Sequence, residues 1–346
     1  MHKIVVLFVS LIVATSIWSC QNEPATPKAT SNALPSTGNP AIDGFTKEIA
    51  VNPNDPRLYA QRGALFYENE NYDEAITDLK TALNYDSTNV TYLHLLADAY
   101  LDYYQSYNAV STLQKAAALY PTRIPTLLKL CEFELILEQH EASIKTINKV
   151  LALQPLNPDA FFMLGMNFKE MGNIDRAIGS FQTAVENDPD LVDAWINLGQ
   201  LHAKQKSKMA GVFFDNALQV DPNNTTALHA KAAYLHETNR LQAAIATYRQ
   251  LNITDPTYEE GFFNTGIIYL EMDSLKRAYQ QFDLAAKTSP TYIMAYYYRA
   301  LVQEKQGNLE AAKKDYQQAL NLNPGFDRAK EALERMSREA RVENRE

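Results

Sequence analysis

Proline recurs along this chain at a fixed interval. Pro121, Pro155 and Pro189 are evenly spaced, Pro222 comes one position early, and Pro256, Pro290 and Pro324 resume the step, a period of about 34 residues. Counting back, position 87 holds Ser and position 53 holds Pro again. A period of this length points to a stack of similar supersecondary units, not to two or three independent cores. One unit can be read in GNIDRAIGSFQTAVENDP, Gly172 to Pro189. It is a turn, an amphipathic helix and a stop, since Pro lacks the N–H and crowds the preceding turn. Pro56, Pro125 and Pro158 sit at helix starts, where Pro is tolerated, and no proline falls inside a helix on this reading.

The residues between the prolines repeat as well. Phe161, Leu164, Gly165, Phe168, Ala177, Phe181, Ala184 and Pro189 are followed by Trp195, Leu198, Gly199, Phe214, Ala217 and Pro222. A later copy runs Phe262, Gly266, Tyr269, Ala278, Phe282, Ala285 and Pro290. This pattern resembles the tetratricopeptide repeat, W-x2-L-G-x2-Y, then A-x3-F, then P. The resemblance implies an all-α fold, a right-handed superhelical solenoid of antiparallel helix pairs. Eight repeats are expected over 56–325, with a half repeat at 41–54. The third fits least well, with Cys131 at the small-residue position and Ser143 at the Ala position. Small residues at repeat positions 8 and 20 let paired helices approach closely, and larger apolar residues at helical spacing fill the gap. Residues 327–346 carry Ala329, Ala332, Leu333 and Met336 on one side and twelve charges elsewhere, as a capping helix does.

The first forty residues are of another kind. Lys3 precedes the apolar run Ile4–Val13, interrupted only by Ser10, which has signal-peptide length and is too short to span a bilayer. It ends Ser16-Ile17-Trp18-Ser19-Cys20 and resembles a bacterial lipoprotein signal, with residues 1–19 removed and Cys20 acylated. Residues 20–40, with Pro24, Pro27, Pro35 and Pro40, read as a tether. In the Gram-negative families this resembles, Asp after the Cys favours inner-membrane retention. Gln21 stands there, so the outer membrane is expected, with palmitate among the acyl groups.

Catalytic chemistry is not legible. H-E-x-x-H, P-loop, G-x-G-x-x-G and G-x-S-x-G motifs are absent. His229 and His236 lie two turns apart, with His202 one repeat away, but nothing completes a metal set. Catalytic residues, metal and cofactor are each expected to be none. The net charge of −9 argues against nucleic acid as partner. The lysines of Lys204-Gln205-Lys206-Ser207-Lys208 read as a solvated turn.

Function is therefore sought in the groove. The resemblance implies that positions 2, 5, 9, 12 and 13 of the first helices line a concave face. The candidate peptide-groove residues are His94, Leu128, Phe162, Met166, Ile196, His229, Phe263, Ile267 and Tyr297. An apolar stripe beside acidic residues suits a protein or peptide partner. The expectation is a lipid-anchored envelope scaffold that organises a multiprotein complex. The alternative is a glycan-binding outer-membrane lipoprotein. Glycan-capture lipoproteins are similar in anchor and repeats but carry large insertions, and this chain's repeats follow one another almost without a break.

Overall fold

A computed structural model describes residues 36–343, with side chains to 339. The signal segment, Cys20 and most of the tether lie outside the described residues. Eighteen α-helices and no strands are found among those described. The half repeat is α1 (Pro40–Val51). The eight pairs are α2 (Pro56–Glu68) with α3 (Tyr72–Tyr85), α4 (Val90–Asp102) with α5 (Ser106–Leu119), α6 (Ile124–Ile136) with α7 (His140–Leu153), and α8 (Pro158–Glu170) with α9 (Ile174–Asn187). They continue as α10 (Val192–Lys204) with α11 (Ala210–Val220), α12 (Thr225–Glu237) with α13 (Leu241–Thr254), α14 (Glu259–Glu271) with α15 (Leu275–Thr288), and α16 (Ile293–Lys305) with α17 (Leu309–Leu322). Helix α18 (Asp327–Glu343) closes the stack. None of these helices is long and apolar enough to cross a membrane.

Each hairpin follows from local chemistry. The residue before proline is pushed out of the helical region, and Asp188, Asp221 and Ser289 all leave it, at φ −140°, −128° and −127°. Proline is sufficient but not required: α3 also stops, with Asp86 out of the helical region at φ −132°, although position 87 is Ser. Asp55, Asn89, Asn157 and Asn224 cap following helices by accepting from first-turn amides. The turn inside each pair needs one residue in the left-handed region. Gly172 and Gly307 hold it in repeats four and eight, but Glu70, Tyr104, Glu138, Lys206, Asn239 and Asp273 hold it elsewhere, at φ 52–59°.

Close approach explains the small residues at position 8. A Cβ placed on Gly165 would lie 2.6 Å from the Phe181 ring, and one on Gly199 2.5 Å from Phe214. Where the partner is slimmer or differently seated, Ala97 over Leu113 and Ala232 over Tyr248 serve, all buried. In the third repeat, Cys131 and Ser143 are both fully buried. Ser143 donates to the Cys131 carbonyl at 2.7 Å and accepts from Asn167 of the next repeat at 2.9 Å, so the polar atom is satisfied. Burial pushes the Cys131 thiol up to about 12, which keeps it protonated.

Successive pairs are joined by their aromatic residues. Trp195, Tyr59 and Tyr296, all at position 4, donate to the carbonyls of Pro189, Pro53 and Pro290 at 2.8, 2.9 and 3.1 Å. At the N-terminal end no first helix precedes α1 among the described residues. Ala41 is exposed there, and Ile42 and Ile49 are the buried residues. At the other end Ala329, Ala332 and Met336 of α18 are buried over α17 and the opposite side of the helix is charged. Repeat five is one residue short and its internal turn runs over 205–209, two residues longer than in its neighbour, so α11 has 11 residues where the other second helices have 14.

Candidate functional site: the concave face

First helices of adjacent repeats touch one another, as in α2 with α4, α6 with α8, and α10 with α12. They form the inner layer of the stack, and their position-5 and position-9 side chains line it. The position-5 side chains have a double role. Phe162 packs on Phe181, Phe263 on Phe282 and Tyr297 on Tyr316, with ring centroids 5.6, 5.7 and 5.6 Å apart, and His229 meets Tyr248 at 5.9 Å. The two rings of each pair come from the first and second helices of one repeat, so one edge of the inner ring supports the hairpin and the other faces the groove. Leu128, Met166 and Ile267 are likewise half-buried beside core clusters. His94 has its Nε2 3.0 Å from the Thr126 hydroxyl, and beside it Lys129 pairs with Asp98 at 2.7 Å.

Ile196 corrects the sequence reading. It is 3% exposed and packed with Ala217 and Ala227, so it offers no surface to a partner. Its neighbours Ala217 of α11 and Ala227 of α12 are small, which lets both helices close over it.

A cleft of about 580 Å³ opens on the inner face in the middle of the stack. Gln200, Ala203 and Lys204 come from α10; His229, Ala230, Ala233 and Glu237 come from α12; Tyr258 and Glu260 come from the start of α14. Its floor includes Phe214 and Tyr234, whose centroids are 5.8 Å apart. The cleft exists because three alanines face it where longer side chains would fill it. Polar groups stand around this apolar floor, with Lys204 opposite in sign to Glu237 and Glu260.

His229 is the central polar group. Its Nδ1 lies 3.0 Å from the Tyr258 hydroxyl and 3.7 Å from Glu260. Burial holds the imidazole below its ordinary value, and Glu260 opposes this. His202 stacks on Phe213 at 4.8 Å, and His236 pairs with Glu271 at 2.8 Å, so the three histidines do not converge. No three metal-ligating side chains cluster among the described residues.

The groove positions 2, 9 and 13 cover Glu260, Gln200, Ala233, Lys204 and Glu237, and sequence reasoning names His229. It misses Tyr258, reads Lys204 as part of a solvated turn, and does not bring these residues together as one cleft. The available signal is Ala at positions 6 and 9 of the same first helix, a gap in an otherwise bulky stripe.

Comparison with known proteins agrees with the repeat. Tetratricopeptide-repeat family models match residues 63–102, 162–208 and 293–326. The chain carries tetratricopeptide repeats. Human Protein O-mannosyl-transferase TMTC1 is 34% identical over 92 residues, 25% of this chain and 10% of that protein. Type IV pilus assembly protein PilF of Pseudomonas aeruginosa is 27% identical over 129 residues, 36% of this chain and 51% of that protein. The match thus spans a tenth of one relative and about half of the other. A chain in the crystal structure of the APC/C hetero-tetramer Cut9–Hcn1 is 14% identical, with 85% of this chain and 58% of that chain covered at a TM-score of 0.50, and it shares the fold.

Proposed function

We propose that this chain is a scaffold of the bacterial cell envelope, lipid-anchored through Cys20, which holds a protein or peptide partner in its concave groove and brings it into a larger assembly. The observation that carries the reading is the cleft across α10, α12 and α14, an apolar floor with a polar rim of both charge signs. Such a site suits an extended segment or helix that inserts one apolar side chain and pairs polar groups around it. The anchor half of the reading rests on the residues before Cys20; the match to a pilus assembly protein is compatible with a part in a larger assembly. The repeats serve binding, not catalysis.

The test uses a photo-crosslinking amino acid at Gln200, on the cleft rim, and at Gln280, on the exposed side of a second helix. A defined partner should be trapped from Gln200 and not from Gln280, and Ala233→Phe, which fills the cleft, should abolish trapping. Equal trapping from both positions, or indifference to Ala233→Phe, overturns the groove mechanism. Labelling with palmitate tests the anchor: Cys20→Ala should lose both label and membrane association, and a soluble, unlabelled wild type refutes it.

A further inference from the structure

A second surface lies on the edge of the solenoid, away from the cleft, where the internal turns of repeats one and two adjoin. Five tyrosines collect there. Tyr72 lies between Tyr67 and Tyr103 in tilted contacts, with centroids 6.0 and 5.7 Å away. Two phenols are used reciprocally across the repeats: Tyr67 donates to Asp102, and Tyr103 donates to Asp73 at 2.8 Å. These bonds fix the rings and hold both carboxylates at the surface. Tyr104 and Tyr107 are left bare, 93% and 85% exposed.

Neither bare ring is explained by folding. Tyr107 buries almost nothing. Tyr104 occupies the left-handed turn position at φ 58°, where repeats four and eight use glycine. A bulky residue is unfavourable there, so the ring gains the fold neither burial nor backbone ease. The surrounding charge is one-sided. From Tyr67 to Tyr107 the chain has eight carboxylates and one Lys or Arg, Lys80. Asp78 and Asp98 are already paired, with Arg62 and Lys129. Glu70, Asp73, Glu74 and Asp102 are exposed.

We infer that this tyrosine edge docks a lysine- and arginine-rich segment of a partner protein. Exposed aromatic faces attract cations through the ring quadrupole, and the carboxylates beside them supply the complementary field and steer the encounter. The edge works independently of the concave cleft, so one chain can hold two partners, or two parts of one, at once.

The probe is a fluorescein-labelled peptide of about eight alternating lysines and arginines, titrated with the folded repeat region and read by anisotropy at two salt concentrations. Binding should be saturable and weaken with salt. Tyr104→Ser with Tyr107→Ser, which leaves every charge in place, should weaken it by about fivefold or more, from two exposed cation–π contacts. Glu70→Gln with Glu74→Gln should weaken it and flatten the salt dependence. Ala233→Phe should leave it unchanged. Helical circular dichroism should match wild type for each variant. Unchanged affinity in the tyrosine variant would mean attraction by charge alone and would refute the inference. So would no binding by wild type, loss of binding in Ala233→Phe, or saturable binding of neutral oligosaccharides at these tyrosines in place of the peptide.

Discussion

Position 7 of the repeat sets the two end repeats, one and eight, against repeats two to five; repeats six and seven carry Lys231, paired with Asp215 at 2.7 Å, and Thr265 there. Repeats two to five place Leu there: Leu96, Leu130, Leu164 and Leu198, three of them buried to 5% or less. Repeats one and eight place Arg. Arg62 forms two parallel bonds to Asp78, at 2.7 and 2.8 Å, and reaches Thr46 on α1 at 3.0 Å. Arg299 does the same to Asp315, both at 2.7 Å, reaches back to Asp283 at 2.7 Å, and Gln303 adds a bond to Asp315. In both cases the acid comes from the second helix of the same repeat and the third partner from the helix before it. Both arginines keep partial contact with water, at 18% and 16% side-chain exposure, and each carboxylate is met by two parallel bonds, so a bidentate pair is tolerated. In repeats two, three and five, where this position is buried to 5% or less, leucine is favoured because desolvating a charge is expensive.

Inverting the pattern tests that account. Leu198→Arg puts an unpaired charge in a fully buried site with no acid facing it from α11, where Phe213 and Phe214 stand. A loss of roughly 4 kcal/mol or more is expected in urea unfolding. Arg299→Met, which strands Asp315, should cost about 3 kcal/mol; replacing Asp315 by Leu as well should recover most of it. If the double variant is no better than the single, the pair is intrinsically stabilising and the argument from burial fails. Gly165→Ala should cost about 2 kcal/mol, since the Phe181 ring must move, whereas the second repeat accepts Ala97 at the same position.

Acid should act on the inner face more than on the clamps. His94, His202 and His229 are all held below the ordinary imidazole value, chiefly by burial. A lowered folded-state value means the unfolded chain binds more protons, so their contribution is complete above about pH 6.5 and is lost as pH falls through that range. Thermal stability should therefore drop between pH 7 and pH 5, and His229→Gln should reduce the slope. The smallest effect expected is a gain: Tyr104→Gly should stabilise by about 0.5–1 kcal/mol, by relieving the left-handed turn, and at the same time weaken the tyrosine-edge interaction.

The hairpins were legible because their causes are local and recur. Proline stops, small residues at positions 8 and 20, and aromatic partners on the second helix are each visible within one repeat. The groove was only partly legible. Position 5 places a side chain at the inner face, but how much of it stays there depends on the next repeat, and Ile196 was lost to the core on that account. The cleft needed α10, α12 and α14 brought side by side, and the tyrosine edge needed Tyr67 of one repeat to meet Asp102 of the next.

The sequence alone determined a stack of helical hairpins, their number, their approximate boundaries, and the close helix contacts within each. Those follow from backbone restriction and apolar period, both of which act within a single repeat. Tertiary structure decided which inner residues face a partner, where the groove deepens and which charges meet. These depend on the angle and distance between successive repeats, set by side chains that no single repeat contains.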